Sequence, residues 1–225
     1  MGFVKAASPL RGTSNVSIYF GNGCYWGRQY IYVQEIEKRL LHREDSEITA
    51  LGGYAGGLKT GENGRLCYHN LNNTDDYASL GHAEVVQVTV PIEVVPDAVK
   101  IYFDTFIELE QDVWSREDIF DRGPGYRAMI GIPGGMKGPL FSAVRAANIH
   151  NMTLQEGRGS DEDTFDLNKV WLMDSFEFPF HQAELCLQFH NNQTSTYPAA
   201  YHHIRDVLIA NGRLHGTKCP KNYIC

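Results

Sequence analysis

A cysteine, Cys24, sits at a glycine-rich turn in the stretch IYFGNGCYWGRQYIYVQEIEKRL, residues 18–40, with Tyr25 and Trp26 directly after it. Strand-like residues precede it and helical spacing follows. A thiol at the start of a helix meets unpaired N–H groups and the positive dipole end, which favour the thiolate and make a nucleophile. The plain alternative is a small buried residue filling a tight turn, a common fate of cysteine. Glycines on both sides clear space around the sulfur, and two aromatic rings beside it suit a small apolar group such as a methyl on the reacting atom.

Acids that could meet this sulfur come later in the chain. In GHAEVV, residues 81–86, His82 and Glu84 share a strand face at the edge of an apolar run. Desolvation raises a carboxyl pKa there and makes a general acid, whereas an ordinary strand-end Glu stays solvated and ionised. A His/Glu metal site lacks a second closely spaced ligand pair. FDRGPGYRAMI, residues 120–130, holds Asp121 and Tyr126 around a turn that would otherwise be a polar loop. Cys219 and Cys225 lie in a Pro- and Gly-containing end segment, where a mobile thiol can reach a distant one. Cys186 reads as helical core and Cys67 as a reserve thiol in a long loop.

The elements that must hold these groups follow from periodicity. VSIYF (16–20) predicts a strand, and Tyr30, Val33, Ile36 and Leu40 predict a helix over about 25–43. Residues 47–57 begin as a strand and end in glycines, 58–80 form a long polar loop, and AEVVQVTV (83–90) alternates as a strand. A second helix opens at Pro96 and carries Val99, Tyr102, Phe103, Phe106 and Leu109. Then come a strand in YRAMIGI, a helix over about 139–152, a strand at 170–173 and a helix over 179–190. Two split β-α-β units predict an α/β fold, an α+β sandwich with a ferredoxin-like core, long loops and an irregular C-terminal tail. The expected divisions are an extension (1–15), a catalytic domain (16–191) and a tail with recycling cysteines (192–225).

Composition narrows the function classes. The chain has 225 residues, 43% of them hydrophobic, and a formal net charge of −7 with no basic run, which disfavours nucleic-acid and anionic-membrane roles. No apolar run approaches a membrane span and the first residues lack a signal-like core. Five cysteines in a chain this long read as free thiols of a reducing compartment, so the cytoplasm is expected, with an organelle as the other option. On that reading the Asn-x-Ser/Thr triplets at Asn15, Asn72, Asn151 and Asn192 carry little meaning.

Taken in order, GNGCYWG, GGYAGG, GHAEVVQVTVP and FDRGPGYRAMI resemble the A-type peptide methionine sulfoxide reductases over about residues 17–127, with a weaker match at FHQAELCLQFH. The resemblance implies an α/β fold, no metal or organic cofactor, and reduction of the S epimer of methionine sulfoxide, free or in proteins. It assigns Cys24 as nucleophile, Tyr25 and Trp26 to the methyl-cradling aromatic pair, Glu84 as acid, and Asp121 and Tyr126 to the Asp and Tyr of D-x-G-x-x-Y-R. Tyr68, ahead of Tyr77, is the candidate second tyrosine. Cys219 and then Cys225 become resolving cysteines, with a thioredoxin-type reductant and a monomeric chain. Departures are Tyr25 for Phe, Gln29 for Glu, a longer loop before Gly81, Leu187 for His and a different cysteine spacing in the tail. A redox sensor or sulfoxide-binding module with impaired recycling, and a thiol peroxidase, are the other function classes.

Overall fold

The computed structural model describes residues 14–190 and 195–221, so Asn192, Cys225 and nearly all of the 1–15 extension lie outside the described residues. Strand β1 (Asn15–Gly21) buries Ile18, Tyr19 and Phe20 and forms the middle of a seven-stranded sheet. After Cys24 come α1 (Tyr25–Tyr32), continued by a π-helical segment (Val33–Leu40), then β2 (Leu51–Ala55) and β3 (Ala83–Pro91). Helix α2 (Val95–Phe103) leads to a separate hairpin of β4 (Phe106–Glu110) and β5 (Val113–Arg116). The chain returns to the sheet with β6 (Met129–Ile132), α3 (Phe141–Ala147), β7 (Thr153–Glu156), β8 (Lys169–Asp174) and the short β9 (His181–Gln182). It ends in α4 (Ala199–Ala210).

The order across the sheet is β7-β8-β6-β1-β3-β2-β9. Its centre, β6-β1-β3-β2, has antiparallel neighbours throughout. With α1 between β1 and β2 and α2 between β3 and β6, this is the expected ferredoxin-like α/β core. β8 and β7 extend it in parallel beyond β6. Strand alternation divides the core: Ile18, Phe20, Val86 and Val88 pack with the helices, while Tyr19, Val85, Met129 and Trp171 form a smaller cluster on the other face. No helix among the described residues is long and apolar enough to cross a membrane.

The structure differs from the sequence reading at four places. Helix α2 stops at Phe103, and Phe106 and Leu109 belong to β4. Thr105 explains the stop: its hydroxyl donates to the Tyr102 carbonyl and accepts from Asn22, drawing the chain out of the helix. The third helix covers only 141–147, because the Asn148 side chain bonds both the N–H and the carbonyl of Met152. The expected helix over 179–190 is β9 followed by a 3-10 segment (Leu185–His190) broken at Gln188 and Phe189. Here the Gln188 amide acts as a strand partner, donating to the Gly52 carbonyl and accepting the Gly52 N–H. The end segment carries α4, whose Tyr201, Ile204 and Leu208 are buried in a three- and four-residue rhythm.

Candidate active site

Cys24 is placed by the turn that ends β1. Gly23 has φ +79°, a conformation that favours glycine, and its N–H donates to the Tyr126 carbonyl. Gly21 is squeezed between β3 and β6, where a Cβ would come within 2.9 Å of the Glu84 carbonyl and the Met129 side chain. The Cys24 backbone is extended and its residue stands at the N-cap of α1. Gly27, one turn on, leaves open room: a Cβ there would meet only the Tyr197 hydroxyl, at 4.0 Å.

Two of the orphan N–H groups at this helix start are claimed by carboxylates. Cys24 N–H donates to Asp121 Oδ2 at 3.0 Å, and Tyr25 N–H donates to Glu84 Oε2 at 2.9 Å. The positive end of the helix thus serves these acids before it serves the sulfur. Burial pushes the Cys24 thiol well up, the Glu84 charge adds to this, and the Trp26 N–H pulls only partly the other way. The thiolate expected from the helix start is therefore disfavoured: desolvation of the sulfur and the acids beside it hold the proton on Cys24.

Glu84 stands near the start of β3 and is 2% exposed. Its Oε1 accepts the Tyr77 hydroxyl at 3.0 Å, and the Cys24 thiol is a further hydrogen-bonding neighbour. Desolvation outweighs these bonds and pushes the carboxyl up to about 8. His82 is buried as well, but its Nδ1 accepts the Gly57 N–H and its Nε2 donates to the Lys59 carbonyl, so it holds a loop. Burial lowers His82 to about 4, leaving a neutral ring.

Tyr77 is fully buried, stacked on Tyr54 at 4.4 Å with Tyr68 beyond it at 6.0 Å. Tyr77, rather than Tyr68, makes the direct bond to Glu84. Burial and the negative charge of Glu84 hold the phenols of Tyr68, Tyr77 and Tyr126 above their ordinary range, so all three keep their protons. Arg116 fixes the loop that carries Asp121: it forms a bidentate pair with Asp163 and donates Nε to the Asp121 carbonyl. Asp121 itself is raised by burial and by Asp118.

A cleft of about 560 Å³ opens on the sulfur, lined by Cys24, Trp26, Gly27, Arg28, Tyr30, Ile31, Glu117, Asp118, Asp121, His190 and Tyr197. Trp26 is held by its indole N–H on the Leu187 carbonyl and by an edge contact with His190. Tyr25 does not line the cleft. It is 1% exposed, and its ring packs edge-on to Tyr54 and against Gly52. The other large aromatics of the lining are instead Tyr197 and Tyr30, stacked at 4.3 Å. Sequence reasoning missed Tyr197 and His190; the signal available was an aromatic ring standing alone in the polar run NNQTSTYP.

The cysteines of the later chain are paired differently from the expectation. Cys67 and Cys219 form a disulfide across 152 residues, and Cys186 is disulfide-bonded as well. Among the described residues Cys24 alone is a free thiol. Cys219 is thus engaged with Cys67 and not with Cys24, and Cys186 lies in the 3-10 segment rather than in a core helix. Gln29 is buried and links α1 to that segment, donating to the Ala50 carbonyl and to Gln188 and accepting the Phe189 N–H.

No family model and no curated protein matches the chain. Solved structures do. Mxr1 from Saccharomyces cerevisiae in reduced form is 15% identical with a TM-score of 0.48, over 85% of this chain and 92% of that one. Methionine sulfoxide reductase A of Corynebacterium diphtheriae is 16% identical with a TM-score of 0.46, over 94% of this chain and 81% of that one. The Saccharomyces cerevisiae protein in an unusual oxidised form gives 16% and 0.37.

Proposed function

We propose that the chain is a thiol-dependent oxidoreductase that converts the S epimer of methionine sulfoxide, free or in proteins, to methionine, and so repairs oxidised proteins. One observation carries this reading: a buried carboxyl, Glu84, is a hydrogen-bonding neighbour of Cys24, the only free thiol among the described residues, and that thiol lines an aromatic cleft. The four motifs in register support it.

A sulfoxide oxygen leaves poorly until it is protonated. Glu84 gives its proton to that oxygen while the Cys24 sulfur attacks the sulfoxide sulfur, and the thiol proton refills Glu84. The first product is a neutral adduct, Cys–S–S(OH)R₂. Its sulfur–sulfur bond breaks as the hydroxyl passes to Cys24, giving a sulfenic acid and the thioether. The Cys24 sulfur is oxidised by two electrons and the sulfoxide sulfur reduced by two. Tyr126, with Tyr77 or Tyr68, holds the oxygen; Asp121 fixes the Cys24 backbone. Trp26 cradles the methyl, and Tyr25 shapes the base of the site from within the core.

Recycling starts from a sulfenic acid whose expected partner, Cys219, is engaged with Cys67. An external thiol therefore condenses with Cys24, releasing water, and a second thiol frees it as a disulfide. A thioredoxin-type protein or a small thiol fills this role, and Cys219 enters only where Cys67–Cys219 is first reduced. The same pairing favours a second reading, a one-shot redox sensor that stalls after one equivalent.

Separated R and S methionine sulfoxides, wild type and Cys24→Ser, with excess dithiothreitol, test the proposal. The expected result is methionine from the S epimer alone, and none from Cys24→Ser. Reduction of either epimer by Cys24→Ser would remove the reading, and a stop after one equivalent would leave the sensor.

A further inference from the structure

Disulfides among the later cysteines change the meaning of the Asn-x-Ser/Thr triplets. Cys67 is completely buried, and its bond to Cys219 ties the 57–80 excursion to the end of the chain. Cys186 is bonded too, so of the described cysteines only Cys24 remains reduced. The Cys67 half of the bond is out of reach of solvent, while Cys219 closes over it from a partly exposed position. Such cross-links persist in oxidising compartments and are rare where glutathione and thioredoxin keep thiols reduced. The secretory compartments that oxidise thiols also glycosylate the amide of Asn-x-Ser/Thr.

The triplets stand where that chemistry needs them. Asn72, Asn151 and Asn15 are all exposed, whereas the buried asparagines Asn22 and Asn70 belong to no triplet. Asn72 lies in the polar excursion beside Leu71, itself 77% exposed. Asn151 occupies the turn between α3 and β7 at φ 52°, with Thr153 exposed behind it. Neither lines the Cys24 cleft, so a bulky group at either position leaves substrate entry open. Asn15 is set within the β1 ladder and its Ser17 hydroxyl is bonded to Thr89, which makes it the less open acceptor.

We propose that the chain matures in an oxidising secretory compartment and carries N-linked oligosaccharide at Asn72 and Asn151. The donor class is a polyprenyl pyrophosphate-linked oligosaccharide. The Asn side-chain nitrogen forms a bond to the anomeric carbon, the carbon–pyrophosphate bond breaks, and the amide proton leaves with the lipid pyrophosphate. The proposal is independent of the reductase reading.

The test uses the full-length chain taken from cells that make it naturally. Peptide-N-glycosidase should increase its gel mobility and convert Asn72 and Asn151 to Asp in peptide maps. Asn72→Gln and Asn151→Gln should each remove one step of the shift. Alkylation of the denatured, unreduced protein should label Cys24 and leave Cys67, Cys186 and Cys219 unlabelled. Unmodified Asn72 and Asn151 peptides, or alkylation of Cys67 and Cys219 without reductant, would overturn it. The peptide maps of the wild-type chain decide the matter even where a Gln variant folds poorly.

Discussion

Glu84→Gln separates catalysis from stability at one position. At pH 7 a carboxyl at about 8 is about 90% protonated, against roughly 0.3% at its ordinary 4.5, so burial supplies roughly 300-fold more acid. Removing that proton donor should slow sulfoxide reduction by about 10²–10⁴-fold. In wild type the rate should be flat below about pH 8 and then fall as Glu84 ionises. Stability moves with the same group. The folded chain keeps a proton that the unfolded chain loses above 4.5, so wild-type stability falls as pH rises from 4.5 to about 8, by at most about 1.4 kcal/mol per unit. The Gln variant should show a flatter pH dependence and be the more stable protein at pH 8. Its amide can still accept the Tyr25 N–H and donate to Tyr77. Single-turnover product analysis and urea melts between pH 5 and 9 read both effects. A rate that climbs steadily from pH 7 to 9, as a thiolate-limited reaction would, refutes the acid role.

Tyr77→Phe removes a bond that lowers Glu84, so the alkaline limb of the rate profile should move above 8, while Tyr68→Phe should leave it nearly unmoved. Cys219→Ser opens a loop of 152 residues and should cost up to about 5 kcal/mol in urea melts, yet keep multiple turnover with small thiols; loss of turnover there would make Cys219 a true resolving thiol. Gly23→Ala must hold φ +79° with a Cβ 3.3 Å from Arg116 and should lose about 1–2 kcal/mol of stability, measurable by thermal melting. Tyr197→Ala opens one wall of the cleft and should raise KM for a sulfoxide peptide more than it lowers kcat.

Sequence carried the parts of the site whose meaning is local. Cys24 at a glycine turn before a helix and Glu84 at the head of an alternating strand could be read because dipole, periodicity and burial act over a few residues. The ionisation of Cys24 could not, since it depends on Glu84 and Asp121 arriving from 60 and 97 positions away. Tyr25 reads as a pocket wall from its place beside the nucleophile, but the direction of α1 turns it into the core and brings Tyr197 forward from a remote segment. Phe106 and Leu109, three apart, fit helical spacing and not strict strand alternation, yet the Thr105 hydroxyl, a tertiary partner of Asn22, ends the helix and the strand pairing shifts register near Glu108. The Cys67–Cys219 bond has no signature in spacing at all.

Arg127 gathers three distant turns with one guanidinium. It donates to the carbonyls of Pro124, Gly56 and Gly81, and so clamps both roots of the 57–80 excursion beside the turn that carries Tyr126. The roots are thereby fixed, while Tyr77 near the second root keeps its own bond to Glu84. The exposed tip around Asn63 and Gly64, beyond the Lys59 carbonyl that His82 holds, is where this architecture can accept inserted residues, a grafted epitope or a tether.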